Sequence, residues 1–224
     1  MKVINKIQST TFRDLKNVEK ITPLAKNEEI YLFDVDNTLY CQSSGLLGKI
    51  MDNFYEIFKN RTNKDLTREH HDEMIRTYGS GFIGSIKNYG MDKEDVEKMY
   101  DIQLEKYLKK DEELISLIKN LKGRKWIISN GIESFIKRVI AFLGLENEFE
   151  LIIHVDYLQD NCLLKPAQEC FVSVNEVLKV EEDFKNIHFF DDCTKNIKAS
   201  SEIGWTSHLI SKEDNLKEKL KKFF

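Results

Sequence analysis

Short apolar runs that stop abruptly at acids or turn residues recur along this chain. Ile30-Tyr-Leu-Phe33 is the clearest, ending at Asp34, and it predicts a buried strand. Lys125-Trp-Ile-Ile128, Glu150-Leu-Ile-Ile153 and Ile187-His-Phe-Phe190 repeat the pattern, and Thr206-Ser-His-Leu-Ile210 is a weaker fifth. Between the later runs, helical spacing of apolar residues covers Glu133–Leu143, Ala167–Leu178 and Thr194–Ile203. Short apolar strands alternating with helices predict an α/β fold, a parallel sheet covered on both faces.

The interval between the first two runs does not fit one crossover helix. Apolar residues at helical spacing fill Leu46–Phe58, Leu66–Tyr78 and Val96–Leu108, and Leu114–Leu121 reads as the helix that returns to the sheet. We therefore expect a core of residues 1–45 and 111–224 with a helical insert at 46–110. Gly79-Ser-Gly81-Phe-Ile-Gly84 spells GxGxxG, but the residues before it read as helix, whereas the dinucleotide fingerprint follows a strand. A flexible connection between helices is expected there. His70 and His71 are sequence neighbours, so on a helix they point about 100° apart and do not chelate as a pair; surface positions are expected. Lys212–Phe224 reads as a charged amphipathic helix whose lysines face solvent.

Composition narrows the picture. The 224 residues are 41% hydrophobic and 11% aromatic, enough for a packed core. With 34 basic and 38 acidic residues the net charge is −4, and the basic residues are not interleaved with aromatics, so no nucleic-acid surface is expected. No apolar run is long enough for a bilayer, so no membrane is expected either. The first thirty residues lack the apolar core of a signal peptide and the acid-poor character of a transit peptide. Cys41, Cys162, Cys170 and Cys193 form no CxxC pair. Reduced thiols in a cytoplasmic protein are the expectation, with a nuclear location left open, and Asn60-Arg-Thr62 is then a chance sequon. Nothing in the sequence sets the oligomeric state.

The candidate chemistry lies where the apolar runs end. In an open parallel sheet, ligands gather beyond the carboxyl ends of the strands. The first run ends in Asp34-Val-Asp36-Asn-Thr38, two carboxylates placed to meet one cation. A calcium loop would need Gly at its sixth position and Glu at its twelfth; Leu39 and Gly45 stand there, and a strand precedes. The second run ends in Ser129-Asn130-Gly131, a hydroxyl and N–H groups at a helix start that suit a phosphate oxygen. Lys165-Pro166 follows the third, with an ammonium able to neutralise phosphate charge. Asp191-Asp192 closes the fourth, with Asn196 downstream; adjacent carboxylates there repel unless they share a cation. No serine sits on a Gly-x-Ser-x-Gly turn, so no serine triad is indicated.

Asp34-x-Asp36-x-Thr38, Ser129-Asn130, Lys165-Pro166 and Asp191-Asp192 resemble, in type, order and spacing, the four motifs of the haloacid dehalogenase superfamily. The resemblance runs from about Ile30 to Ile210, and the helical insert is similar to that superfamily's cap. It implies a Rossmann-like core with an inserted α-helical cap. Phe33-Asp-Val-Asp-Asn-Thr-Leu-Tyr40, Tyr78-Gly79 and Arg124–Asn130 are similar to the pyrimidine 5′-nucleotidase branch. That branch carries Thr-Asn-Ala where Ser129-Asn130-Gly131 stands, a His where Phe135 stands, and threonines where Ser80-Gly81 stand.

The resemblance implies a phosphatase acting on a small phosphorylated metabolite. Asp34 would be the nucleophile, forming an aspartyl-phosphate, and Asp36 the general acid and base. Mg2+ would sit between the Asp34 carboxylate, the Asp36 backbone carbonyl and Asp191 or Asp192. Thr38, Ser129, Asn130, Gly131 and Lys165 would hold phosphate oxygens, and Asn196 would fix the last loop or a carboxylate. An acid at Asp36 favours phosphoryl chemistry over dehalogenation, since halide leaves unprotonated. A nucleoside 5′-monophosphate, pyrimidine favoured, is the expected substrate. A sugar phosphate, a phosphomutase reaction, or a non-catalytic regulatory protein on the same fold are the alternatives.

Overall fold

The computed structural model describes residues 7–18, 21–180 and 184–224. Six strands form one parallel sheet: β1 (Gln8–Thr11), β2 (Ile30–Phe33), β3 (Arg124–Ile128), β4 (Leu151–His154), β5 (Ile187–Asp191) and β6 (Thr206–Leu209). Their order is β1-β4-β3-β2-β5-β6, and every neighbouring pair is parallel. β2 lies between β3 and β5, with Ile30 opposite both Arg124 and Ile187. Every residue of β2, β4 and β5 is buried, as the unbroken apolar runs require of strands covered on both faces. β1, which the apolar pattern did not reveal, is Gln-Ser-Thr-Thr on the sheet's edge, where a polar strand is tolerated.

The chain divides into two compact units. The first, through Ser44 and then Leu108–Val155 and Leu163–Phe224, contains the sheet. Its helices, in chain order, are numbered after the four of the other unit: α5 (Glu112–Asn120), α6 (Glu133–Leu143), α7 (Gln168–Leu178), α8 (Thr194–Glu202) and α9 (Leu216–Leu220). Tyr31 stands opposite His188 across β2 and β5, and His208 opposite Phe190 across β5 and β6. The Tyr31 and His188 rings stack with centroids 5.3 Å apart, and His208 stacks on Phe190 at 4.5 Å. Phe223 meets Tyr31, His188 and His208 edge-on. The expected helix over Lys212–Phe224 is shorter, because Asn215 caps it at Leu216 and Lys221–Phe223 tightens to 3-10 geometry. Its lysines are less free than expected: Lys217 pairs with Asp111 and Glu113, and Lys219 with Asp214.

The second unit comprises Gly45–Tyr107 and Asp156–Cys162. It holds α1 (Leu46–Thr62), α2 (Arg68–Tyr78), α3 (Gly81–Tyr89) and α4 (Lys93–Met99). The glycine-rich stretch is not a flexible connection. Gly79 caps α2 with φ +78°, Ser80 accepts from the Phe82 N–H, and α3 begins at once. The helix expected over Val96–Leu108 starts earlier and ends sooner. Asp92 and Asp95 form a capping box that starts α4 at Lys93, and only a 3-10 turn at Leu104–Lys106 follows. His70 and His71 are half-buried rather than on the surface: His70 meets the Tyr89 hydroxyl at 2.9 Å, and His71 packs against Phe54 and Tyr55. Tyr157 packs edge-on against Phe82, with centroids 5.4 Å apart.

Candidate active site

Asp34 extends β2 by one residue, since its N–H donates to the Phe190 carbonyl at 2.9 Å. The chain then turns sharply: the Thr38 and Leu39 N–H groups both donate to the Val35 carbonyl, and Asn37 adopts φ +57°. Left-handed backbone suits Asn better than most residues. The Asn37 amide reaches across 155 positions of sequence to donate to Asp192 Oδ2 at 3.0 Å. Tyr40, four residues beyond Asp36, donates its hydroxyl to the Asp36 carboxylate.

Lys165, 2% exposed, is where the strand ends converge. Its ammonium donates to Asp34 Oδ1 at 2.9 Å, to Asp191 Oδ2 at 2.6 Å and to the Ile128 carbonyl at 2.9 Å. All three of its N–H donors are thereby used. The peptide bond to Pro166 is cis. Asp191 is wholly buried and further held by the Cys193 N–H at 2.7 Å and by the Asn196 amide at 3.0 Å on each oxygen. Asn196 therefore fixes a carboxylate.

Burial sets the electrostatics. It would lower the Lys165 ammonium, but Asp191 and Asp34 outweigh it and hold Lys165 above its ordinary value. One ammonium satisfies two carboxylates only incompletely. Burial thus keeps Asp34 well above the usual carboxylate range, with Asp191 and Asp36 pushing the same way and Lys165 opposing. Burial pushes Asp36 up to about 6, against the Tyr40 hydrogen bond. Asp192 is raised by burial too, and Asn37 opposes the shift.

Carboxylate oxygens of Asp34, Asp191 and Asp192 all lie within 4.8 Å of one another. Once ionised, the three carboxylates set against the Lys165 cation carry an excess of two negative charges. An all-oxygen, doubly negative donor set fits a hard divalent cation. The side chain of Asp36 is not among the three; it is engaged by Tyr40.

Two expected phosphate ligands are turned elsewhere. The Asn130 side chain brackets the Lys165 backbone, its amide donating to the Lys165 carbonyl at 2.8 Å and its oxygen accepting from the Lys165 N–H at 2.9 Å. The Gly131 N–H donates to Ser129 Oγ at 3.0 Å. Ser129 itself is fully buried, and its N–H continues the ladder to the Ile153 carbonyl. Thr38 Oγ1 is the one buried side-chain polar atom without a partner among the described residues. An orphaned hydroxyl two residues past Asp36 is what a loop built for a ligand oxygen would leave. Sequence reasoning missed the roles of Asn37, Tyr40 and the Ile128 carbonyl. Tyr40 carried a signal, a hydroxyl four residues from an acid; the other two did not.

Comparisons with known proteins bear on the fold and the family. Phosphate metabolism protein 8 of Saccharomyces cerevisiae is 28% identical over 205 residues, a match covering 81% of this chain. The chain spans 62% of that relative's length. CbbY from Rhodobacter sphaeroides, solved with phosphate, superposes with a TM-score of 0.57 at 16% identity, covering 82% of this chain and 86% of CbbY. A HAD-family enzyme of Bacteroides thetaiotaomicron, solved with magnesium and inorganic phosphate, gives 0.52 at 19% identity, covering 85% and 97%. L-2-haloacid dehalogenase of Xanthobacter autotrophicus gives 0.51 at 15% identity, covering 83% and 80%. These likenesses establish the fold. The haloacid dehalogenase-like hydrolase model matches residues 29–204, from the start of β2 to the turn before β6 and so across the ends of β2, β3, β4 and β5. The chain belongs to the haloacid dehalogenase-like hydrolase family.

Proposed function

We propose that this hydrolase cleaves small phosphomonoesters through an aspartyl-phosphate on Asp34, with Mg2+ as its cofactor. The observation that carries this reading is the buried meeting of Asp34, Lys165 and Asp191, with Asp192 beside them and Asp36 two residues from the nucleophile. The carboxylates of Asp34, Asp191 and Asp192 would hold the ion together with the Asp36 backbone carbonyl. Bound there, it supplies the positive charge that lets an anionic nucleophile approach an anionic ester.

The chain's own groups divide the remaining work. An Asp34 oxygen bonds to phosphorus as the ester oxygen departs, and Asp36 gives that oxygen its proton. Asp36 then takes a proton from water, whose oxygen attacks phosphorus and frees Asp34. A carboxyl pushed up to about 6 can be both donor and acceptor near neutral pH. Lys165 holds Asp34 in place and screens the incoming oxygens. The Ser129 and Thr38 hydroxyls are the candidate grips on the phosphoryl group.

For the substrate we favour a nucleoside 5′-monophosphate, with pyrimidine first. Support comes from the likeness of Phe33–Tyr40 and Arg124–Asn130 to the pyrimidine 5′-nucleotidase branch. Turnover of para-nitrophenyl phosphate with Mg2+ tests the chemistry. Asp34→Asn should show none, EDTA should abolish it reversibly, and Asp36→Asn should cost about 10²–10⁴-fold. Wild-type rates in Asp34→Asn would overturn the nucleophile. A panel of nucleotides and sugar phosphates decides the substrate, and preference for a sugar phosphate would displace our choice.

A further inference from the structure

The three carboxylates of the cation site are not held equally. Asp191 is fixed by Lys165, Asn196 and the Cys193 N–H, and Asp34 is fixed by Lys165. Asp192 is only half-buried, and it lies beyond the reach of the Lys165 bonds. The side-chain bond that anchors it comes from the loop after β2, from the Asn37 amide at 3.0 Å. A carboxylate accepts only, so the amide must present its NH2 group, which leaves no choice of orientation. Asn37 is 8% exposed, and its left-handed backbone places the amide there.

We propose that Asn37 is a positioning residue for the divalent cation: it holds Asp192 at the distance the ion requires. The proposal rests on the metal reading above and deepens it. Mg2+ demands near-octahedral geometry with oxygens at about 2.0–2.1 Å, whereas Ca2+ accepts looser and more numerous ligands. A tether on one carboxylate therefore matters more for Mg2+ than for Ca2+. Groups that orient metal ligands typically change affinity by about 10–100-fold when lost.

Calorimetric titration of Mg2+ and of Ca2+ into the metal-free full chain tests this without recourse to turnover. Asn37→Gly is the informative variant, because glycine accepts φ +57° and only the amide is lost. Its Mg2+ affinity should fall by about tenfold or more, and its Ca2+ affinity by clearly less. A melting curve of the metal-free variant checks that it is folded. Should the glycine variant not fold, Asn37→Asp keeps the side-chain size and tolerates the same backbone. It exchanges the donor for an acceptor, so its preference for Mg2+ over Ca2+ should also drop. An unchanged Mg2+ affinity or an unchanged preference, in whichever variant folds, overturns the role of Asn37. A wild-type chain that binds no Mg2+ would overturn the metal reading itself, a separate and recognisable result.

Discussion

Asp34 bears a cost that its neighbours do not cancel. In the folded, metal-free chain burial raises its pKa above the ordinary 3.8, so the native state holds a proton that the unfolded chain has already released. Stability therefore declines as pH rises past the unfolded value, and at neutral pH the buried carboxyl of the nucleophile works against the fold. Asparagine keeps an oxygen for Lys165 without the charge. Asp34→Asn should accordingly melt a few degrees higher than the wild type when both are metal-free at pH 7–8, with the gap closing toward pH 4. A lower melting temperature at neutral pH would contradict the assignment of that cost. The acids and the lysine were legible in the sequence because each stands just past an apolar run, or in Lys165's case before a proline and a helix. The duties of Asn130 and Asn37 were not, since each pairs with a residue far along the chain, 35 and 155 positions away. No local pattern records such a partner.

Elements were legible in proportion to their burial. β2 to β5 announced themselves because strands inside a sheet must be apolar, whereas the edge strands need not be: β6 read only as a weaker run and β1 escaped notice. In the helical unit the sequence gives periodicity but not caps, and caps decide where α3 and α4 begin. Of the glycines read there as a loop, Gly79 caps α2, and Gly81 and Gly84 are packing residues. A Cβ on Gly84 would lie 2.7 Å from Met74 Cβ, so α2 and α3 approach more closely than alanine permits. Gly84→Ala should destabilise the unit by about 1–3 kcal/mol, read as an earlier urea transition, and an unchanged midpoint would refute the close approach. On the sheet, burial and the neighbouring His188 push His208 down to about 4. Glu29, Tyr31, Asp214, Lys219 and Lys222 complete the titratable surroundings of this histidine pair. The unfolded histidine binds its proton near 6.5 and the native one resists it, so stability is full above 6.5 and falls as pH drops toward 4. His208→Phe should flatten that slope in melts taken across the window; an identical slope would exonerate His208.

At the scale of the whole molecule, Asp156–Cys162 belongs with the helices although it follows a sheet strand. Its residues have no periodicity to announce this. Tyr157, 6% exposed and set against Phe82, ties the segment to the helical unit. Truncating a buried aromatic typically costs about 3–5 kcal/mol. Because two units need not unfold together, Tyr157→Ala is best followed by amide hydrogen exchange. Faster exchange should concentrate in α1–α4 and spare β2, β3 and β5; uniform acceleration would show a single cooperative body instead. One last consequence follows from the order of the strands. Lys165 arrives from the β4 side of the sheet, yet it bonds acids that follow β2 and end β5. From β4 to β5 is three strand spacings, about 14 Å. The loop after β4 covers part of that gap and the long aliphatic stem covers the rest, resting its head on the Ile128 carbonyl along the way. A histidine or any shorter amine would stop short of Asp191, so reach, as much as charge, makes this position a lysine.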